Sequence, residues 1–180
     1  RVLFRSNAVS ECLTGSLSFN GQRCTALKIL FVHEEVVDSF IEKFNHKLEA
    51  LKPGMPWEPG VSLTPLPEKG KTDYLSSVVA DAVSKGAKVV NAKGGEIRSS
   101  FFYPAVLYPV TTEMRIYAEE QFGPVVPIVP YRDLDTVIDY VLESDFGQQL
   151  SLFGNDSAEV GRLVDIFANQ VGRININAQC

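Results

Sequence analysis

The sequence has few cysteines, few histidines and no excess of positive charge, and these shortages exclude several classes of protein. Its three cysteines, at positions 12, 24 and 180, are odd in number and widely spaced, which argues against a disulfide framework. The two histidines do not form a metal-binding cluster, so no metal site is predicted. The net charge of -5 argues against broad binding to nucleic acid or to a membrane surface. We therefore expect free thiols in a reducing, cytoplasmic compartment.

Long hydrophobic runs are also missing. No apolar run reaches the roughly 18 residues that are needed to span a bilayer, and the first residues lack the apolar stretch of a signal peptide. The chain starts with Arg1 rather than methionine, which suggests a piece of a longer protein. What the sequence does contain is 45% hydrophobic and 22% charged residues, the balance of a globular protein. Its 180 residues predict one domain with a full core.

Hydrophobic periodicity predicts strands and helices that alternate along the chain. Helices are predicted where apolar residues recur every three or four positions, and strands where short apolar runs lie between turns. The predicted helices cover residues 6–18, 34–51, 68–85, 134–142 and 157–167, and the main predicted strands cover 27–32, 87–90, 125–131, 150–153 and 172–177. This alternation implies βα units, and therefore an α/β fold whose largely parallel sheet is covered on both faces.

Some local features give sharper predictions. Residues 101–110 are apolar and aromatic, but Pro104 and Pro109 predict an edge or irregular strand, since proline cannot donate a backbone hydrogen bond. Gly86 is predicted to end the helix that precedes it. Ser157 is predicted to cap the last helix.

Cys24 stands in a segment that suggests a nucleophile on a loop. The segment reads Phe-Asn-Gly-Gln-Arg-Cys-Thr over residues 19–25 and is followed at once by a predicted strand. A thiolate is a strong nucleophile, Gly21 permits a tight backbone path, and exposed N–H groups near Cys24 could bind an oxyanion. From these residues alone, a buried cysteine at the start of a strand is an open alternative.

A second segment, Glu-Glu-Gln-Phe-Gly-Pro-Val over residues 119–125, suggests a site for a sugar and a flat ring. Its paired carboxylates can accept hydrogen bonds from ribose hydroxyls, and Phe122 can pack on an aromatic ring. The alternative reading is a solvated acidic turn followed by a core phenylalanine.

Taken together, the two segments resemble the NAD(P)-dependent aldehyde dehydrogenase superfamily. Residues 19–26 resemble its active-site cysteine signature, and residues 119–125 resemble its Glu-Glu-x-Phe-Gly-Pro-Val motif, in the same order and at a matching separation. The likeness continues to the strand at 172–177 and so covers nearly the whole chain. It implies that residues 1–180 form the cysteine-bearing catalytic domain of that family, a three-layer α/β/α sandwich with a largely parallel sheet.

The resemblance also implies roles for particular residues. Cys24 would attack an aldehyde to give a thiohemiacetal, and hydride transfer to NADP or NAD would leave a thioester for hydrolysis. Glu120 would bind the hydroxyls of the nicotinamide ribose, and Phe122 would pack near that end of the cofactor. The expected partner is a small aldehyde, with no nucleic acid, membrane or metal involved.

The substrate suggested by the resemblance is an anionic aldehyde. Residues 22–26 look most like those of non-phosphorylating, NADP-dependent glyceraldehyde-3-phosphate dehydrogenase, in which the arginine before the cysteine helps to bind the substrate phosphate. Arg23 would take that role, since a guanidinium offers paired donors at fixed charge. Semialdehyde dehydrogenases that bind a carboxylate tail share the Gln-Arg-Cys sequence and are an alternative. A structural salt bridge for Arg23, and a non-catalytic scaffold relative for the whole chain, are others.

Several parts expected of the family are not in this sequence. The resemblance places the general-base glutamate, the oxyanion asparagine and most of the dinucleotide-binding domain upstream of residue 1. It places a substrate loop and an oligomerisation strand beyond residue 180. We therefore expect this chain to be one domain of a homo-oligomeric dehydrogenase, and not a competent enzyme by itself.

Overall fold

The computed structural model describes residues 6 to 179. The helices in this range are α1 (Ser6–Leu17), α2 (Val37–Glu49), α3 (Lys71–Ser84), α4 (Arg115–Ala118), α5 (Leu134–Glu143) and α6 (Ser157–Phe167). The strands are β1 (Leu30–His33), β2 (Lys52–Pro53), β3 (Val61–Leu63), β4 (Lys88–Val89), β5 (Ile97–Arg98), β6 (Phe101–Phe102), β7 (Ala105–Tyr108), β8 (Val125–Tyr131), β9 (Leu150–Leu152) and β10 (Ile174–Ile176). The predicted α/β fold is confirmed.

The central sheet has four strands in the order β1-β8-β7-β4. The β1–β8 and β7–β8 pairs are parallel, and β4 adds to the far edge in the antiparallel direction. Farther along the chain, β9 and β10 form a second parallel pair. The sheet is therefore largely parallel, as the alternation of strands and helices predicts.

Helices cover both faces of the central sheet, which gives the predicted three layers. Val126 and Ile128 of β8 pack with α1 and α2 on one face, whereas Val125 and Val129 pack on the face that α3 covers. All four side chains are at most 7% exposed. A strand buried on both faces needs apolar residues at every position, which explains the uninterrupted apolar run in the sequence.

The structure corrects three of the local predictions. Residues 101–110 are irregular, as predicted, because Pro104 lies between β6 and β7. The edge position is wrong for β7, which lies between β8 and β4 inside the sheet; Pro104 and Pro109 flank this strand, so neither removes one of its donors. β1 begins at Leu30 and not at residue 27. The cap of α6 is Asp156, whose carboxylate accepts the backbone N–H groups of residues 158 and 159, and not Ser157.

A cavity of about 870 Å³ lies between the central sheet and the C-terminal part of the chain. Its walls include apolar side chains of β1, α5 and β9, and Cys24, Lys28, Glu119 and Glu120 also line it. The buried residues Ile138, Leu163 and Phe167 form a separate small core, and Leu163 and Phe167 also line the cavity. Among residues 6–179, no helix combines the length and the apolar character that crossing a bilayer requires.

Candidate active site

A tight left-handed turn leads from α1 into the loop that carries Cys24. Residues 19–21 all have positive φ angles, from 53° to 68°. A Cβ atom on Gly21 would lie 2.7 Å from the carbonyl oxygen of Gly123 and 2.8 Å from that of Ser16, so a larger residue does not fit without a backbone shift. The tight path expected at Gly21 is confirmed, and Gly21 brings the two sequence motifs into backbone contact.

The side chain of Asn20 links this turn by hydrogen bonds to Thr64, just after β3. Its amide is buried, with 6% exposed, and it accepts the backbone N–H of Thr64 at 3.0 Å and donates to the Thr64 hydroxyl at 2.8 Å. Asparagine tolerates the left-handed backbone region, and its buried polar atoms find partners on Thr64. Nothing in the local sequence pattern indicates this pairing, because the two residues are 44 positions apart.

Cys24 is exposed, whereas Cys12 is buried in the face of α1 that packs on the sheet. The open alternative of a buried Cys24 at a strand start is therefore wrong. Burial raises the pKa of the Cys12 thiol to about 12, with a smaller contribution from the charge of Glu11. Cys12 is thus a core residue and a poor nucleophile, and Cys24 is the accessible thiol of this pair.

The two adjacent acids of the second motif have different partners. Glu119 receives two hydrogen bonds from the Arg115 guanidinium, at 2.8 and 3.1 Å, and a third from the Tyr74 hydroxyl at 3.2 Å. The Arg115 hydrogen bonds hold the pKa of the Glu119 carboxyl below its usual value of 4.5. Glu120 faces Lys28 instead, with 3.7 Å between its Oε1 atom and the lysine Nζ, and its side chain is 35% exposed.

Lys28 links the cysteine loop to the acidic motif, and the sequence analysis did not identify it. Its Nζ atom donates to the carbonyl oxygens of Gly21 at 3.1 Å and Arg23 at 2.9 Å. The same atom faces Glu120 and lies 4.4 Å from the centre of the Phe122 ring, a cation–π distance. Burial lowers the pKa of the Lys28 ammonium, and the charge of Glu120 opposes that shift.

Gln121 makes buried hydrogen bonds to the backbone on both sides of the same region. Its side chain is 2% exposed, and its amide nitrogen donates to the backbone carbonyls of Lys28 at 3.0 Å and Val125 at 2.7 Å. Gln121 therefore links the segment that precedes β1 to the start of β8. The sequence gives no local signal for this role, because Gln121 follows two acidic residues between α4 and β8 and one of its two partners is 93 positions away.

The structure places the predicted site residues in two groups. Cys24 and Glu120 line the cleft together with Lys28, and the ring of Phe122 lies under the Lys28 ammonium. Arg23 points elsewhere, since its guanidinium donates to the side-chain oxygen of Gln179 at 3.2 Å. The role of Arg23 in binding a substrate anion stays a prediction.

The cleft contains one potential nucleophile, Cys24, one cation, Lys28, and one carboxylate acceptor, Glu120. An exposed thiol can attack an electrophilic carbon, and a carboxylate such as Glu120 accepts hydrogen bonds from hydroxyl groups. The cleft has the size of a small-molecule site. No group of three or more metal-ligating side chains occurs in the described part of the chain.

Comparison with known proteins agrees with this geometry. The sequence model of the aldehyde dehydrogenase family matches residues 5–180. A succinate-semialdehyde dehydrogenase [NADP(+)] of Mycobacterium avium is 33% identical over 171 residues, which are 94% of this chain and 36% of that protein. An NADP-dependent glyceraldehyde-3-phosphate dehydrogenase of Streptococcus equinus is 32% identical over 170 residues, 94% of this chain and 35% of that protein.

Among solved structures, the chain is similar to the NADP-dependent glyceraldehyde-3-phosphate dehydrogenase of Bacillus halodurans in complex with NADP. The TM-score is 0.88 at 32% identity, and the match covers 97% of this chain and 36% of that one. The chain thus spans little more than a third of the length of the relatives that it matches.

Proposed function

We propose that this chain, which belongs to the aldehyde dehydrogenase family, is the cysteine-bearing catalytic domain of an enzyme that oxidises an aldehyde to a carboxylic acid. The domain would extend over residues 1–180. The observation that carries the proposal is the shared cleft, in which the exposed thiol of Cys24 and the carboxylate of Glu120 come together through Lys28. A scaffold relative would have no need to keep this arrangement.

The nucleophile of the proposed reaction is the Cys24 thiolate. Its sulfur forms a bond to the aldehyde carbon, and the carbonyl oxygen becomes an oxyanion that backbone N–H groups of the loop can stabilise. Loss of hydride from that carbon gives a thioester on Cys24. Water then adds to the thioester, the C–S bond breaks, and the carboxylic acid and the free thiol are released.

The proposed cofactor is NADP or NAD, which supplies the hydride acceptor when it is bound. Glu120 fits the ribose end of such a group, because its carboxylate lies at the cleft and is partly exposed while its neighbour Glu119 is engaged by Arg115. In this proposal Glu120 accepts hydrogen bonds from ribose hydroxyls, and Phe122 packs near the nicotinamide end. The relatives named above are NADP-dependent, which favours NADP over NAD.

The proposed substrate is glyceraldehyde-3-phosphate, which would be oxidised to 3-phosphoglycerate, with succinic semialdehyde as the alternative. Both substrates appear in the names of relatives at nearly equal identity. Both are anions, and Arg23 lies next to Cys24 in the sequence. A cytoplasmic location and assembly into a homo-oligomer stay part of the proposal as expectations from the family resemblance.

The first test is the role of the thiol. In the full-length protein that carries this chain, Cys24→Ser is expected to abolish NADP reduction with either aldehyde, because a hydroxyl is a far weaker nucleophile at neutral pH than a thiolate. Cys12→Ala is the control: Cys12 is buried in the core, alanine adds no buried hydroxyl, and turnover should stay within a few-fold of the wild type. Full turnover by Cys24→Ser would refute the proposal.

The second test separates the substrates. Arg23→Ala is expected to reduce turnover of glyceraldehyde-3-phosphate and of succinic semialdehyde while sparing an uncharged aldehyde such as propionaldehyde. The wild-type ratio of kcat/KM for the two anions decides between the main proposal and its alternative. Equal loss on charged and uncharged aldehydes would mean that Arg23 is structural, in keeping with its hydrogen bond to Gln179.

A further inference from the structure

Lys28 is notable because its side chain contacts both loops of the candidate site. The carbonyls of Gly21 and Arg23 belong to the turn and the residue that lead into Cys24, and both accept hydrogen bonds from the lysine Nζ. On its other side the same atom meets Glu120 and the Phe122 ring. An ammonium has three donors. Two of them are used by the two carbonyls, and the ammonium also forms an ion pair with Glu120 at 3.7 Å.

The burial of this ammonium requires an explanation. A lysine on an apolar surface normally extends its charged end into water, yet the Lys28 side chain is only 19% exposed. The ion pair with Glu120 is itself partly exposed, and pairs of that kind contribute little to stability. The contacts of Lys28 therefore indicate that it fixes the relative position of the two loops and contributes little to stability.

We infer that Lys28 is a positioning residue that holds the Cys24 loop and the Glu120 loop in one arrangement. A change at Glu120 then alters the reactivity of Cys24. The consequence for catalysis rests on the proposed function. There, the carbon bonded to Cys24 gives up a hydride to a cofactor whose ribose is bound by Glu120. The distance between the two loops then decides whether the reacting atoms meet, and small misplacements are costly in rate.

A double-mutant cycle on the reactivity of Cys24 tests the inference. The rate of Cys24 alkylation by iodoacetamide is measured in the wild type, Lys28→Met, Glu120→Gln and the double variant. The same proteins carrying Cys24→Ser provide the background from the other thiols. Each single change should alter the rate, and the double variant should differ from the product of the two single effects by at least about threefold, the range found for residues in direct contact.

Two further variants separate positioning from a general effect of charge. Lys28→Arg keeps a cation with several donors and should retain the coupling to Glu120 that Lys28→Met loses. Lys88→Met removes an exposed lysine from β4, at the opposite edge of the sheet from β1, and should leave the alkylation rate unchanged. Urea unfolding of every variant shows whether a change in rate comes with a change in stability, as a merely structural role would require.

Independent effects of Lys28→Met and Glu120→Gln that simply multiply would overturn the inference, as would a Cys24 rate that neither variant alters. If Lys28→Met does not fold, the effect of Glu120→Gln on the alkylation rate of Cys24 is compared between the wild-type and Lys28→Arg backgrounds. A similar effect is expected in both, and the absence of any effect in the wild-type background overturns the inference. The cycle uses no aldehyde and no cofactor. Its failure is therefore distinct from failure of the proposed function, which the turnover of Cys24→Ser decides.

Discussion

Two cation-centred clusters lie on either side of the Glu119–Glu120 pair, and they are built differently. The Lys28 cluster consists of Lys28, Glu120, Phe122 and the carbonyls of Gly21 and Arg23. The Arg115 cluster consists of Arg115, Glu119, Tyr74, Ser77 and Asp81. The central ion pair of the first joins residues 28 and 120, and its lysine is 19% exposed. The central ion pair of the second joins residues four positions apart, and both of its side chains are about 40% exposed.

The comparison shows that two adjacent acids of one motif can have different partners and surroundings. Glu119 is held by a helix-type pair with Arg115, which is of the kind that contributes little to stability at a protein surface. Glu120 faces a partly buried cation and the cleft. Arg115 and Tyr74 thus engage Glu119, and under the proposed function Glu120 is the carboxylate that is available to a ligand. We therefore expect damage to be large in and around the Lys28 cluster and small in the Arg115 cluster.

The largest effect is expected at Gly21, whose carbonyl belongs to the Lys28 cluster. Gly21→Ala places a Cβ atom against two backbone oxygens at a φ of +68°, and should lower the free energy of unfolding by about 2–4 kcal/mol through strain and displaced backbone. Gly60→Ala is the matched control, because Gly60 has a φ of +74° with nothing within 4 Å of the added atom. It should cost about 1 kcal/mol, from the left-handed backbone alone.

Urea unfolding of both glycine variants provides the measurement. Equal losses at the two positions would show that the contact between Gly21 and Gly123 adds nothing beyond the backbone conformation. That outcome would remove the main physical reason for treating the cysteine loop and the acidic motif as one packed unit.

Whether a feature of the fold or of the site can be predicted depends on how far apart the interacting residues lie in the sequence. Local apolar periodicity predicts α2, α3 and α6, and a continuous apolar run predicts β8. Both signals lie within the element itself. Cys24 and Glu120 are indicated as candidates because each stands in a compact motif, and both line the cleft. Lys28 was missed because a lysine within a predicted strand carries no local mark, and Gln121, which bonds its carbonyl, is 93 positions away.

The second prediction concerns Gln121, which lies beneath the Lys28 cluster. Gln121→Leu keeps the volume but leaves the carbonyls of Lys28 and Val125 without their side-chain donor, and should cost about 1–3 kcal/mol in free energy of unfolding. Gln170→Leu, at an exposed position just after α6, is the control and should stay within about 0.5 kcal/mol of the wild type. A Gln121 variant as stable as the control would mean that the buried amide is dispensable.

The smallest effect is expected in the Arg115 cluster. Glu119→Gln removes one charge from a pair that is about 40% exposed, and should change the free energy of unfolding by less than about 1 kcal/mol. The effect should shrink further in 1 M salt, where the screening length is about 3 Å. A loss as large as that of Gly21→Ala would contradict the division between the two clusters.

The pH dependence of this small effect has a defined sign. The Arg115 hydrogen bonds lower the pKa of folded Glu119 below 4.5, so its ionised form contributes stability that is fully present above pH 4.5. That contribution is lost as the pH falls from 4.5 through the lower folded-state pKa. The stability difference between the wild type and Glu119→Gln, measured by urea unfolding across this range, should therefore be largest near neutral pH and approach zero in acid. A difference that grows in acid would mean that Arg115 does not hold Glu119 in its charged form, and the contrast with Glu120 would then need another cause.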